Sequence, residues 1–230
     1  EWLASCPGAS ITAVTARESM RTMVEEDVGE YLDPRLDRVL VGNWTDKTLL
    51  RGRTFDVVVA DYLLGAVDVF APYFQLGLLR RLQGLVRPGG WLLLAGKEPM
   101  DLAATDATSR LVLDAEAIRD ATTVLGLQRP YREMPMWWVM EMLPALGMRV
   151  EAKKVFPRKL TREKVRRQLS WAEEELARVR DELLRNSLRS RIRALRSHVD
   201  VSAALRRGHV FGQDYAMLAR RPLSPAAGRK

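Results

Sequence analysis

Apolar and polar positions change period repeatedly along this chain, and the changes mark alternating strands and helices. The β-prone run SITAVTA at 10–16 predicts a strand, and a polar helix follows over 17–32. A second strand is expected at 36–41, ending at Gly42, Asn43 and Trp44. The unbroken run FDVVVA at 55–60 is of the kind a parallel sheet buries on both faces. Pro72 suits the first turn of a helix. Apolar positions Phe74, Leu78, Leu82 and Leu85 then recur every three or four residues, as one buried face requires. That helix stops at Arg87-Pro88-Gly89-Gly90, and WLLLAG at 91–96 is the next buried strand.

Further helices are expected at 114–125 and 135–146, the latter closing at Gly147, with a strand at 148–155 and the last strand at 213–220. Strands alternating with helices predict an α/β fold with a doubly wound, mainly parallel sheet. Between the last two strands, 161–199 reads as helical and highly charged. Val165, Leu169, Ala172, Leu176, Val179 and Leu183 step by four and three, a short heptad-like seam. Leu188, Ile192, Leu195 and Val199 resume it after Asn186-Ser187, where a bend is expected. So narrow a seam buries one stripe, so the segment is expected to protrude. The tail from Pro222 reads as frayed.

Composition narrows the function classes. Apolar residues at 47% and charged residues at 29% suit a globular protein. The longest apolar candidate, 57–69, is interrupted by Asp61 and Asp68 and falls short of the roughly 18 residues of a membrane span; an integral membrane protein is not expected. Cys6 is the single cysteine, and only His198 and His209 accompany it, so neither a disulfide nor a metal site is expected. Charge is uneven. Residues 1–148 hold 15 Lys/Arg against 20 Asp/Glu, whereas 149–230 hold 22 against 9. The acidic body thus carries a basic final third, which suggests an anionic partner such as RNA or a larger assembly.

The run FDVVVADYLLGAVD, a helix, then LVRPGGWLLLAG resembles the second half of class I S-adenosylmethionine (SAM)-dependent methyltransferases. AVTARESM looks like that family's second strand and turn, and VLVGNW like its third strand. Four segments (ADYLLGAVDVFAPYFQ, RDATTVLGLQRPYREMPMWWV, KKVFPRKLTREKVRRQL and GQDYAMLA) are similar to an uncharacterised methyltransferase-like group of plants and algae. The resemblance covers nearly the whole chain. It implies a Rossmann-like sheet of order 3-2-1-4-5-7-6 with the seventh strand antiparallel. Strands two to seven can be placed; the first strand and its glycine-rich loop are absent from this chain, with 1–4 matching the helix after that loop. Strands two and four are therefore expected to flank a slot filled by sequence outside this chain. The implied organisation is a core at 1–157, a basic helical insertion at 158–208, the last strand at 209–222 and a tail at 223–230.

Ligands of such sheets bind beyond the carboxyl ends of the strands. The resemblance puts Thr15 where an acidic residue takes both ribose hydroxyls. A hydroxyl cannot replace a carboxylate's paired acceptance, a loss of about 1.5–3 kcal/mol. Glu18, one turn on, is the candidate substitute; otherwise Thr15 is an ordinary strand-end residue. Asn43 and Trp44 fall at the adenine side, or are a turn residue and a core ring. Asp61 and Tyr62 fall where the family holds the methionine moiety, or are a helix cap and a packed ring. Glu98 is a candidate for orienting substrate, or part of a charged loop. Tyr131, Arg132 and Glu133 form either the polar end of a substrate site or an ion-pair network, the network being favoured. Arg189, Arg193 and Arg196 are candidate partner contacts, or a solvated face.

Methyl transfer needs little side-chain chemistry, since SAM carries the reactive group and the protein aligns the acceptor. The expected function is therefore SAM-dependent methyl transfer, with SAM as cofactor if a glycine loop lies upstream, no metal, and an acceptor the sequence does not name. The alternative is a pseudoenzyme: a non-catalytic methyltransferase-like subunit docking to an RNA-containing or membrane-bound organellar assembly through its basic helices. The plant-or-algal resemblance and the Glu1 start fit a processed chloroplast or mitochondrial protein, a cytoplasmic one being the other expectation.

Overall fold

The computed structural model describes residues 9–223. The expected helix end at residues 1–4 and most of the expected tail lie outside them. The chain divides into two units, Glu1–Arg53 and Thr54–Lys230.

In the first unit, β1 (Thr12–Thr15) and β2 (Arg38–Val41) form a parallel pair joined by α1 (Glu18–Val28). Asp37 closes the connection, its carboxylate accepting from the backbone N–H of Ile11 at 2.5 Å and of Asp33 at 2.8 Å. None of the residues of α1 is buried. Its apolar positions Met20, Met23, Val24 and Val28 recur at helical spacing, yet Met20 and Met23 stay exposed and Val24 and Val28 are only partly covered.

The second unit holds β3 (Phe55–Asp61), α2 (Leu63–Phe70), α3 (Gln75–Leu85), β4 (Val86–Lys97), α4 (Ala107–Leu125), α5 (Met136–Ala145), β5 (Arg149–Leu160), α6 (Arg162–Glu175), α7 (Glu182–Val201), α8 (Ala203–Arg207) and β6 (His209–Arg220). The sheet order is β3-β4-β6-β5; β3 and β4 are parallel, and β6 is antiparallel to both its neighbours. That is the order expected of the fourth, fifth, seventh and sixth strands. β1 and β3, the expected second and fourth strands, belong to different sheets, and no described strand takes the first strand's place.

Several elements differ from expectation, each for a local reason. FDVVVA is buried on alternate residues only: Ala60 is covered, whereas Val57 is 47% and Val59 40% exposed. β3 is an edge strand, hydrogen-bonded to β4 alone among the described strands. The helix expected from Pro72 opens at Gln75, because buried Asp68 accepts from Tyr73 N (2.9 Å) and Gln75 Nε2 (3.0 Å) and holds the turn open. The eight residues of α2 are hidden within the apolar run. β4 takes in Pro88-Gly89-Gly90, and its ladder with β3 is irregular there. A Cβ at Gly90 would sit 2.8 Å from the Asp56 carbonyl oxygen, so only glycine lets the strands close. β5 and β6 reach beyond the expected 148–155 and 213–220, pairing out to Leu160 and His209.

The basic helices also depart from expectation: they pack on the domain instead of protruding. Val112, Ala115 and Ile118 of α4 form one buried cluster with Val165, Leu169 and Ala172 of α6, Leu176 and Val179 beyond it, and Ile192, Leu195 and Val199 of α7. The seam is as the spacing predicts except at Leu183, and α4 supplies the apolar face that covers it. The bend falls at 179–181, not at Asn186-Ser187. Asp181 caps α7 by accepting from Leu184 N at 2.8 Å, and Leu183, carried past the bend, is 84% exposed.

Candidate functional site

The carboxyl ends of β3 and β4 lie side by side, with Asp61 opposite Ala95 in a parallel ladder. Tyr62 follows with left-handed backbone (φ 48°) and serves as the cap residue of α2. A large non-glycine residue in that region is strained, a feature that concentrates at functional sites. Tyr62 lies near Asp214 of β6; burial first, then Asp214 and Asp61, raise the pKa of its hydroxyl. The Asp61 carboxylate is exposed and makes no hydrogen bond among the described residues.

Two glycines make room for the side chains around this point. A Cβ at Gly96 would overlap the Tyr215 ring. Tyr215 crosses there to donate its hydroxyl to Met134 O at 2.8 Å, and burial, with Glu98 and Glu133 nearby, raises its pKa. A Cβ at Gly212, where φ is +78°, would overlap the Arg158 guanidinium. Arg158 lies half-buried between Phe211 O at 3.5 Å and the sulfur of Met100. Burial lowers its pKa while Asp214 and Tyr62 oppose the shift.

Glu98 turns inward to accept from Met136 N at 2.9 Å, holding the first residue of α5. Tyr131, Arg132 and Glu133 do not form one cluster. Arg132 N donates to Gly65 O (3.2 Å), while its guanidinium approaches Asp68 at 3.6 Å and lies over the Tyr73 ring at 4.7 Å. Burial alone would raise the Asp68 carboxyl, but the bonds from Tyr73 N and Gln75, with Arg132 nearby, hold it below the ordinary value. Tyr131 is exposed. Glu133 points the other way, its Oε2 where a Cβ of Gly65 would be. Burial pushes its pKa up to about 7, with Arg119 opposing and Glu116, Asp214 and Asp120 adding to the shift. A carboxyl titrating near neutrality can take or give a proton at working pH. The ion-pair expectation thus holds for Arg132, whose partner is Asp68 and not Glu133.

In the first unit, the Thr15 hydroxyl donates to Arg17 O (3.3 Å) and Leu40 O (3.5 Å). Glu18 pairs with Arg21 at 3.4 Å. Asn43 Oδ1 accepts from Thr45 N and Thr45 Oγ1, so the asparagine closes its own turn, and Trp44 is half-buried. Among the basic residues, Arg196 pairs with Glu173 at 2.8 Å and Arg189 donates to Asn186. The guanidinium of Arg193 has no ion pair or hydrogen bond among the described residues. No group of three or more potential metal ligands occurs among the described residues, nor a helix long and apolar enough to cross a membrane.

Asp214, Arg158 and Tyr215 lie in segments that carry the family resemblance, but the sequence alone gives them no place beside Asp61 and Tyr62. Each meets the site through the β5–β6 ladder from far along the chain, and the one local signal was glycine at 96 and 212.

No family model matches the chain, and no curated protein sequence matches it. Solved structures do. A candidate methyltransferase from Bacillus halodurans is 14% identical over 93% of this chain and 84% of its own, with a TM-score of 0.57. The (4+2)-cyclase SpnF is 14% identical over 97% and 70%, with a TM-score of 0.54. The mycolic acid cyclopropane synthase CmaA1, complexed with SAH and CTAB, is 13% identical over 92% and 70%, with a TM-score of 0.51. The chain therefore has the class I methyltransferase fold. The named activities of these three differ, so the fold alone does not fix the reaction.

Proposed function

We propose, from the premise of that fold, that the chain works as a SAM-dependent methyltransferase, with Asp61 and Tyr62 at the cofactor's methionine end. The observation that carries this reading is the pair itself: an unengaged carboxylate at the tip of β3 and Tyr62 beside it with left-handed backbone. A free carboxylate suits a cationic amino group, so these residues fit the cofactor. SAM supplies an electrophilic methyl group. The chain's part is to hold that group, align an acceptor and keep water out. A pKa near neutrality supports Glu133 as the group that takes the acceptor's proton in this reading.

The test is calorimetry with S-adenosylhomocysteine (SAH), the demethylated product. Asp61→Ala is expected to weaken SAH binding roughly tenfold or more, the worth of one charge-assisted contact, whereas Asp56→Ala, at the far end of β3, leaves it unchanged. Equal affinity in both variants would remove Asp61 from the site.

One observation favours the second reading, a non-catalytic subunit. Thr15 directs its hydroxyl to backbone carbonyls and offers no acceptor of a carboxylate's strength. In that case the wild-type chain binds no SAH, and Arg189 and Arg193 of α7 belong to its docking face.

A further inference from the structure

A cavity of about 190 Å³ opens between α4, α6 and the ends of β4 and β5. Its floor is apolar, made by Val112, Leu160 and Val165, all buried. Trp171, 46% exposed, forms one wall. Around the mouth stand Lys97, Arg158, Lys164 and Arg167, with Glu116 the one carboxylate in the lining.

The cations are unequally engaged. Lys97 pairs with Glu116 at 3.2 Å, both side chains being largely covered. Lys164 donates to Lys159 O at 2.9 Å, which leaves its charge unbalanced. Arg167 makes no ion pair or hydrogen bond among the described residues. Arg158 is half-buried against a thioether and a long carbonyl contact, and the only carboxylate acting on it, Asp214, forms no ion pair with it. A guanidinium removed from water and so weakly partnered gains from an anion. Gly212 is the residue that admits it to this position.

Size narrows the ligand. A cavity of about 150 Å³ holds a benzene molecule, so this one takes a single ring or short chain with a small charged group. We propose that this cleft binds a small organic anion, its apolar body on the Val112–Leu160–Val165 floor beside Trp171 and its carboxylate or phosphate among Arg158, Lys164 and Arg167. Lys97 ends β4, so the anion is also the methyl acceptor's class; that assignment rests on the methyl-transfer reading, whereas the binding does not.

Phenyl phosphate, benzoate, benzamide and inorganic phosphate are titrated into the full chain by calorimetry, with SAH titrated into the same preparations. Saturable binding of phenyl phosphate or benzoate is expected, and whichever binds tighter identifies the charged group. Lys164→Gln/Arg167→Gln, which alters only exposed side chains, is expected to weaken it about tenfold or more. Unchanged affinity in that variant, benzamide binding as well as benzoate, inorganic phosphate matching phenyl phosphate, or no binding at all would each overturn the cleft. SAH binding without anion binding rejects the cleft alone. Anion binding without SAH binding, in protein that carries the glycine loop expected upstream, supports the cleft and rejects the methyl-transfer reading.

Discussion

A carboxyl group pressed against the α-carbon of Gly65, with Glu116, Asp214 and Asp120 as neighbours, gives up its proton reluctantly. For Glu133 this has a consequence in stability. Its pKa of about 7 in the fold stands above the 4.5 of a free glutamate. Between those values the folded chain binds a proton that the unfolded chain releases, so stability falls as pH rises through that window. The loss by pH 8 is on the order of 3 kcal/mol. Denaturant unfolding of wild type and Glu133→Gln at pH 5 and pH 8 checks it: the variant is expected to gain on the wild type as pH rises. Parallel pH dependence in both would place Glu133 in water. At this scale the sequence was informative where chemistry is local. The placement of Asp61 and Tyr62 at the end of β3 was legible because the apolar run of the strand stops there. The placement of Arg158, Asp214 and Tyr215 was not, because ladder register, which no short window reveals, brings them to the site.

Among the elements, those whose burial follows from their own pattern were legible. The face of α3 is built from Leu78, Leu82 and Leu85, and the seam of α6 and α7 from the residues its spacing selects. What could not be read was the partner. The seam looked solitary because the matching stripe, Val112, Ala115 and Ile118, lies far earlier in the chain, in the half of α4 that begins at Asp106. That difference is measurable. Leu169→Ala, at the centre of the cluster, is expected to cost about 2–5 kcal/mol. Leu183→Ala, on the exposed turn after the bend, is expected to stay within about 0.5 kcal/mol. Chemical denaturation of both variants tests the packing, and similar small losses would return the helices to a protruding arm. Packing also engages part of the basic surface: Arg166 pairs with Asp200, Arg191 with Asp114, and Arg196 with Glu173.

The whole molecule joins an α/β sheet of class I methyltransferase order to helices that form a second core on α4. Two features lie at the carboxyl end of the sheet: Asp61–Tyr62 at the end of β3, and the cavity lined by Lys97 and Arg158 at the ends of β4 and β5. In the proposed reading the first serves the cofactor and the second the acceptor. The most direct measurement is an amide chemical-shift map, on adding SAH at millimolar concentration, of protein that carries the glycine loop expected upstream. Saturating shifts centred on Asp61, Tyr62 and their neighbours at the end of β4 are the result this reading requires. No shifts at that concentration, or shifts confined to α6 and α7, would contradict it.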